Sequence, residues 1–138
     1  MAFAMVLCSS SPAQEMFVPA HPAPKREVRG VWITTLGGLD WPKTKASSPQ
    51  GMEQQKQELT EMLDQLQALR INTIFLQTRV RGSVIYPSQI EPWDVALTGQ
   101  YNRSPGYDPL AFAITEAHRR GMELHAWVVT IPCFKVAQ

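Results

Sequence analysis

The chain has 138 residues, room for one ordinary domain with a modest core. Hydrophobic residues make up 44% and charged residues 18%, which excludes a disordered chain. A net charge of +1 excludes the strong field that would gather nucleic acid or an anionic lipid surface.

Residues 1–13 read as the remnant of a secretory signal. An apolar run, Ala2 to Cys8, is followed by small and polar residues, and Ser11 and Ala13 have the spacing that signal peptidase reads, with a cut before Gln14. The positively charged start of such a signal is missing. Cys8 raises a lipid anchor, but Leu7 precedes it where a small residue is wanted. The expectation is an exported protein of the periplasm or cell envelope. No apolar run reaches the ~20 residues of a transmembrane segment.

Residues 14–26 form a Pro-rich linker without periodicity. Lys25, Arg26 and Arg29 read as a solvated approach to the first strand. The folded unit is expected over 27–138.

The stretch VRGVWITT, Val28–Thr35, is β-branched and aromatic and predicts a buried strand. LGGLDWPKTKASSPQG follows as a loop. Its Gly37 and Gly38 lack the G-x-G-x-x-G order of a nucleotide cradle and read as a plain turn. A helix comes next, with Met52, Leu59, Met62, Leu63, Leu66 and Leu69 on one face, ending near Arg70. INTIFLQTR, Ile71–Arg79, predicts the second strand. Val80–Tyr107 shows no sustained period and is far longer than an ordinary strand-to-helix loop. It carries Tyr86, Trp93, Tyr101 and Tyr107, so an ordered functional loop is expected.

DPLAFAITEAHRRG predicts a second helix with Asp108 as cap, Pro109 in the first turn and Gly121 as the left-handed stop. MELHAWVVT is the third strand. Strand, helix, strand, helix, strand predicts an α/β fold with parallel strands and right-handed crossovers. Each strand reads as apolar on both faces. A doubly wound sheet and a (β/α)8 barrel both fit, and three strands cannot close a barrel.

In such folds sites form at the C-terminal ends of strands. That selects Thr34, Thr35, Asp40 and Trp41 after the first strand. It selects Gln77, Arg79, Arg81, Tyr86 and Trp93 within and after the second, and Trp127 on the third. Aromatic faces suit the C–H face of a sugar ring, and Arg and Gln hydrogen-bond hydroxyl or carboxylate groups. Each has a structural rival: Trp32 and Trp127 as barrel filling, Trp41 and Trp93 as loop pins. Arg79, in phase with Phe75 and Gln77, belongs either to a site or to a buried ion pair.

Glycoside hydrolysis usually needs two carboxylates flanking the bond. Asp40, Glu91 and Asp94 lie in loops and read as solvated. Glu116 lies on the wrong side, so the catalytic residues stay unassigned. His118 reads as structural and His125 as a satisfied core histidine. Cys133 reads as an inert thiol. His21, His118 and His125 make no metal signature, so neither metal nor cofactor is expected.

REVRGVWITT, LDWP, INTIFLQTRVRGSVIYPSQIEPWDVALTG and YDPLAFAITEAHRRGMELHAW stand in this order and spacing. Together they resemble the N-terminal part of the glycosyl-hydrolase-like ten family, over about Arg26 to Trp127. The resemblance implies the first three βα units of a (β/α)8 TIM barrel, incomplete on its own. It implies an exported bacterial glycoside hydrolase acting on polysaccharide, with peptidoglycan glycan strands as the favoured substrate. It implies substrate contacts from Trp32, Asp40, Trp41, Gln77, Arg79, Tyr86, Trp93 and Trp127, and an acid/base pair on later strands. The piece alone would then be inactive. The chain departs from the family pattern after Trp127, where VVTIPCFKVAQ replaces an Asn-Pro-Tyr-Arg type segment. The alternative is a non-catalytic glycan-binding or cell-envelope interaction module; a nucleotide-binding α/β enzyme is the weaker third.

Overall fold

The computed structural model describes residues 27–131. The readings of residues 1–13 and 14–26, of Cys8 and His21, and of Cys133 lie outside the described residues.

Three strands run parallel in the order β1 (Gly30–Ile33), β2 (Thr73–Val80), β4 (Glu123–Val128). Between them lie α1 (Pro49–Ala68) and α3 (Pro109–Arg119). A short strand β3 (Ser83–Val84) folds back antiparallel on the end of β2, and α2 (Val95–Thr98) is a single turn. These are the opening strands and crossovers of a (β/α)8 barrel, three parallel strands of the eight that close one.

The helices start and stop where their chemistry says. Ser48 caps α1, its Oγ accepting from Gly51 N at 3.1 Å, with Pro49 at the first position. Beyond Leu69, Arg70 turns left-handed (φ 60°), and Ile71 N and Arg70 N close on Leu66 O and Gln67 O. The α3 end repeats this pattern with Gly121 (φ 70°), Met122 N bonding Ala117 O and Gly121 N bonding His118 O. Asp108 caps α3 through Ala111 N at 3.0 Å.

Both long helices pack on one face of the sheet. Leu59 and Leu63 from α1 and Ala113 and Ala117 from α3 enclose Ile33, Ile74 and Leu76. Each large apolar side chain buried there contributes about 1.5–3 kcal/mol. Polar ties reinforce the seam: Arg120 bonds Asp64 on α1 at 2.7 Å and Glu116 on α3 at 2.7 Å. Glu116 is therefore a buried structural acid on the helical side.

The sequence predicts strands covered on both faces, and among the described residues they are not. The burial pattern of β4 is mostly exposed, and Trp32 on β1 is 59% exposed. Helices cover only one face, and among the described residues nothing covers the other. For the same reason His125 is exposed rather than enclosed in a core. It stacks on Phe75 and meets only Glu123, at 3.4 Å. Strand β1 is also shorter than Val28–Thr35, because Thr34 and Thr35 leave the ladder to build the turn that follows. Leu69 is 66% exposed, one residue beyond the helix it was expected to help bury.

Candidate functional site

The C-terminal ends of β1 and β2 are joined through Gln77. Its Oε1 accepts from Thr34 Oγ1 at 2.5 Å, Thr35 N at 3.1 Å and Leu36 N at 3.3 Å. Its own carbonyl accepts from Thr35 Oγ1 at 3.0 Å. A buried glutamine in β2 thus shapes the tight turn Leu36–Gly38, where Gly37 and Gly38 both have positive φ. Asp40 closes the same loop, its Oδ2 accepting from Thr34 N at 2.9 Å. Trp41 is fully buried, and its Nε1 donates to Gln55 O at 2.9 Å.

Arg79, two residues past Gln77, faces Glu91. Its Nε donates to both carboxylate oxygens at 2.8 and 2.9 Å, and Nη2 donates to Oε1 at 2.5 Å. Nη1 reaches the other way, to Val129 O and to Thr130 O at 3.3 Å. The guanidinium therefore ties the end of β2 to the following loop and to the end of β4. Hydrogen bonding from Arg79 holds the Glu91 carboxyl below its ordinary range, with partial burial opposing. The Arg79 pKa is raised by the same hydrogen bond, with Tyr86 a smaller electrostatic contributor. Glu91 is thus an ion-pair partner and not the solvated loop acid that the sequence suggests.

The stretch Val80–Tyr107 is ordered by short elements too brief to show periodicity. Arg81 (φ 47°) and Gly82 (φ 80°) make a two-residue turn with both residues left-handed, the geometry that matches strand twist. Asp94, also expected to be solvated, is buried. It accepts from Ser83 Oγ and caps α2 through Ala96 N at 2.7 Å. Trp93 is half-buried against the core and exchanges hydrogen bonds with Asn102. Tyr86, also half-buried, follows β3. Arg81 points into solvent.

A buried glutamine on α1 locks this loop to the first one. Gln55 Nε2 donates to Thr44 O at 2.9 Å and Leu97 O at 3.0 Å, and its Oε1 accepts from Tyr107 Oη at 2.7 Å. Burial pushes the Tyr107 phenol pKa up, and nearby Glu58 and Glu53 add to the shift. Sequence reading missed Gln55 as a polar residue on a polar face. It lies three residues after Met52 and four before Leu59, which places it in the apolar seam.

The face turned away from the helices is aromatic. Trp32 stacks on its register partner Phe75 with ring centroids 4.6 Å apart, and Trp127 meets Trp32 edge-on at 5.2 Å. Phe75 then stacks on His125 at 5.4 Å. Of the sequence-selected residues, Trp32, Gln77, Arg79 and Trp127 gather on or above this face. Trp41 and Trp93 instead pack with the core that the helices line. Phe75 and His125 are not among the selected residues; the two-residue phase of Phe75 with Gln77 and of His125 with Trp127 is the available signal.

Among the described residues, no cluster of His, Cys, Asp and Glu could hold a metal ion, and no helix is long and apolar enough to cross a membrane.

The profile of the family described as Glycosyl hydrolase-like 10 matches residues 27–137. That match runs past the point where the sequence departs from the expected pattern. The chain is 41% identical to "Glycosyl hydrolase DigH" of Escherichia coli (strain K12) over 140 residues, covering 91% of this chain and 32% of that protein. It is 43% identical to "Glycosyl hydrolase YngK" of Bacillus subtilis (strain 168) over 102 residues, covering 74% of this chain and 19% of that protein. The chain spans about a third or less of the length of these curated relatives.

Proposed function

The chain belongs to the glycosyl hydrolase-like 10 family, and from that premise we propose that it supplies one wall of the substrate cleft of an exported glycoside hydrolase acting on peptidoglycan glycan strands. The observation that carries this reading is the aromatic face of Trp32, Phe75 and Trp127, which nothing covers among the described residues. Such a surface suits the C–H faces of successive sugar rings. Gln77 and the rim residues Tyr86 and Arg79 supply polar contacts to it. Trp41, Trp93 and Asp40 act through the loops they hold in place.

The acid/base pair is assigned to parts of the protein outside residues 27–131. Glycosidic hydrolysis calls for one carboxylate that can donate a proton and a second that attacks or activates water. Here Glu91 is neutralised by Arg79, Asp94 caps a helix, and Asp40 accepts from a backbone N–H. Those engaged acids also favour the second reading, a glycan-binding module without catalysis.

The test is to incubate the intact protein with purified peptidoglycan glycan strands and measure new reducing ends. Saturable shortening of the strands, weakened by Trp32→Ala, is expected. Binding without any new reducing ends would favour the second reading, and neither binding nor cleavage would refute both.

A further inference from the structure

A connection as long as Val80–Tyr107 is often an active-site lid. Here its backbone is bonded at short intervals. Near β2, Ile85 N donates to Thr78 O at 3.1 Å, Val84 N to Pro92 O at 3.0 Å and Asp94 N to Val84 O at 2.9 Å. Farther along, Gly99 N donates to Val95 O at 2.8 Å and Asn102 N to Trp93 O at 3.2 Å. Ala96, Leu97 and Thr98 are all buried.

The middle of the connection is also tied to the loop after β1. Ala46 N donates to Leu97 O and Lys45 Nζ to Ala96 O, both at 2.8 Å. Gln55, fully buried on α1, joins them: Nε2 donates to Leu97 O at 3.0 Å and to Thr44 O at 2.9 Å. Two carbonyls can only accept, which fixes the amide and turns Oε1 to Tyr107 Oη at 2.7 Å. One side chain thus holds the loop after β1, the middle of the connection after β2 and that connection's last residue. A hinged lid opens by breaking few bonds. Opening this segment would break the ties to Ala46, Lys45 and Gln55 together and bare Leu97 to water. The ties run between β1–α1 and β2–α3, two strand–helix units described from end to end.

We infer that the connection after β2 is a fixed wall of the cleft and not a lid, and that Gln55 is the positioning residue that sets it against the loop after β1. This edge of the cleft is shaped before any ligand arrives, and ligand enters without closure of the segment. That the wall serves a glycan rests on the reading above; its rigidity does not.

Amide hydrogen exchange of the intact protein tests this. The Ala46, Val84, Asp94, Gly99 and Asn102 amides are expected to exchange slowly in the free protein, and peptidoglycan glycan strands to change their rates by less than about twofold. A lid would exchange fast in the free protein and slow by about tenfold or more on addition of strands, and that result would overturn the inference. Fast exchange that strands leave unaltered would overturn it too. Gln55→Met keeps the length of the side chain and removes its donors. The folded variant is expected to exchange about tenfold faster at Ala46 and Gly99 and to bind strands about tenfold more weakly, the effect of one hydrogen bond, while the amides of β2 keep their rates. A folded Gln55→Met with wild-type exchange at Ala46 and Gly99 would remove Gln55 from this role. The wild-type rates decide between wall and lid even where Gln55→Met does not fold. Slow wild-type exchange without any binding of strands would leave the wall standing and strike the glycan reading alone.

Discussion

Arg79 and Glu91, twelve positions apart, close the loop between them with a forked ion pair, Nε to both carboxylate oxygens and Nη2 to one of them. The same guanidinium holds the Val129 and Thr130 carbonyls at the end of β4. A single side chain therefore sets the spacing of three segments at the strand ends. That is the edge where a substrate cleft must keep its shape.

The pair makes a pH-dependent contribution whose sign follows from Glu91. Its carboxyl pKa is depressed in the folded protein by the Arg79 hydrogen bond. The contribution is therefore complete above the unfolded glutamate value of about 4.3 and is lost as pH falls through the lower folded value. Thermal melts of wild type and Glu91→Gln against pH check this. The wild type should melt higher at neutral pH, and the two curves should converge on acidification below about pH 4. A gap independent of pH would contradict the assignment.

Gln55 is fully buried and bonds three partners from three segments, Leu97 O inside the fold and Thr44 O and Tyr107 Oη part-buried. Replacing it with alanine strands Tyr107 Oη and the Thr44 carbonyl, while Leu97 O keeps Ala46 N. Unpaired buried groups cost about 1–3 kcal/mol each, so Gln55→Ala should lose on the order of 3 kcal/mol in urea unfolding. A loss under about 0.5 kcal/mol would mean that the loop is held by other contacts.

Trp41 and Trp32 should separate stability from binding. Trp41 is fully buried and Trp32 is 59% exposed. Trp41→Ala is expected to cost about 3–5 kcal/mol of stability. Trp32→Ala should leave the melt nearly unchanged and weaken glycan binding. Denaturation and sugar titration on the same two variants read both effects. A Trp32→Ala variant that binds as well as wild type would remove Trp32 from the cleft.

Gly51 sits in the first turn of α1, where alanine is normally the better helix former. A Cβ there would lie 2.4 Å from the Lys45 carbonyl oxygen. Gly51→Ala should thus destabilise by about 1–3 kcal/mol, against the helix-propensity trend. A melt at or above the wild-type value would show that the Lys45 segment yields.

Much of this architecture is legible in the sequence, and the reasons are local. Asp108, Pro109 and Gly121 mark the bounds of α3 because capping and left-handed stops depend on individual residue types. The apolar stripe of α1 is visible because 3.6-residue spacing is a local pattern. The partners of Glu91 and Asp94 are not visible, because each partner lies about a dozen residues away across a turn. Exposure of His125 escapes the sequence for a different reason. Its strand reads as apolar on both faces, while among the described residues helices lie against only one of them. On the site face, Gln77 and Arg79 stand out by being polar in phase with Phe75. The direction of the Gln77 amide needs Thr35 and Leu36 in three dimensions.

The most direct test is the indole N–H spectrum during titration of the intact protein with N-acetylated oligosaccharide. The chain has four tryptophans, and their environments differ. Trp32 and Trp127 meet on the uncovered face, Trp41 donates to Gln55 O inside the fold, and Trp93 is half-buried against the core. The account predicts that the Trp32 and Trp127 signals shift in a saturable manner while those of Trp41 and Trp93 hold still. Shifts confined to Trp41 and Trp93, or no shift at any sugar concentration, would contradict it.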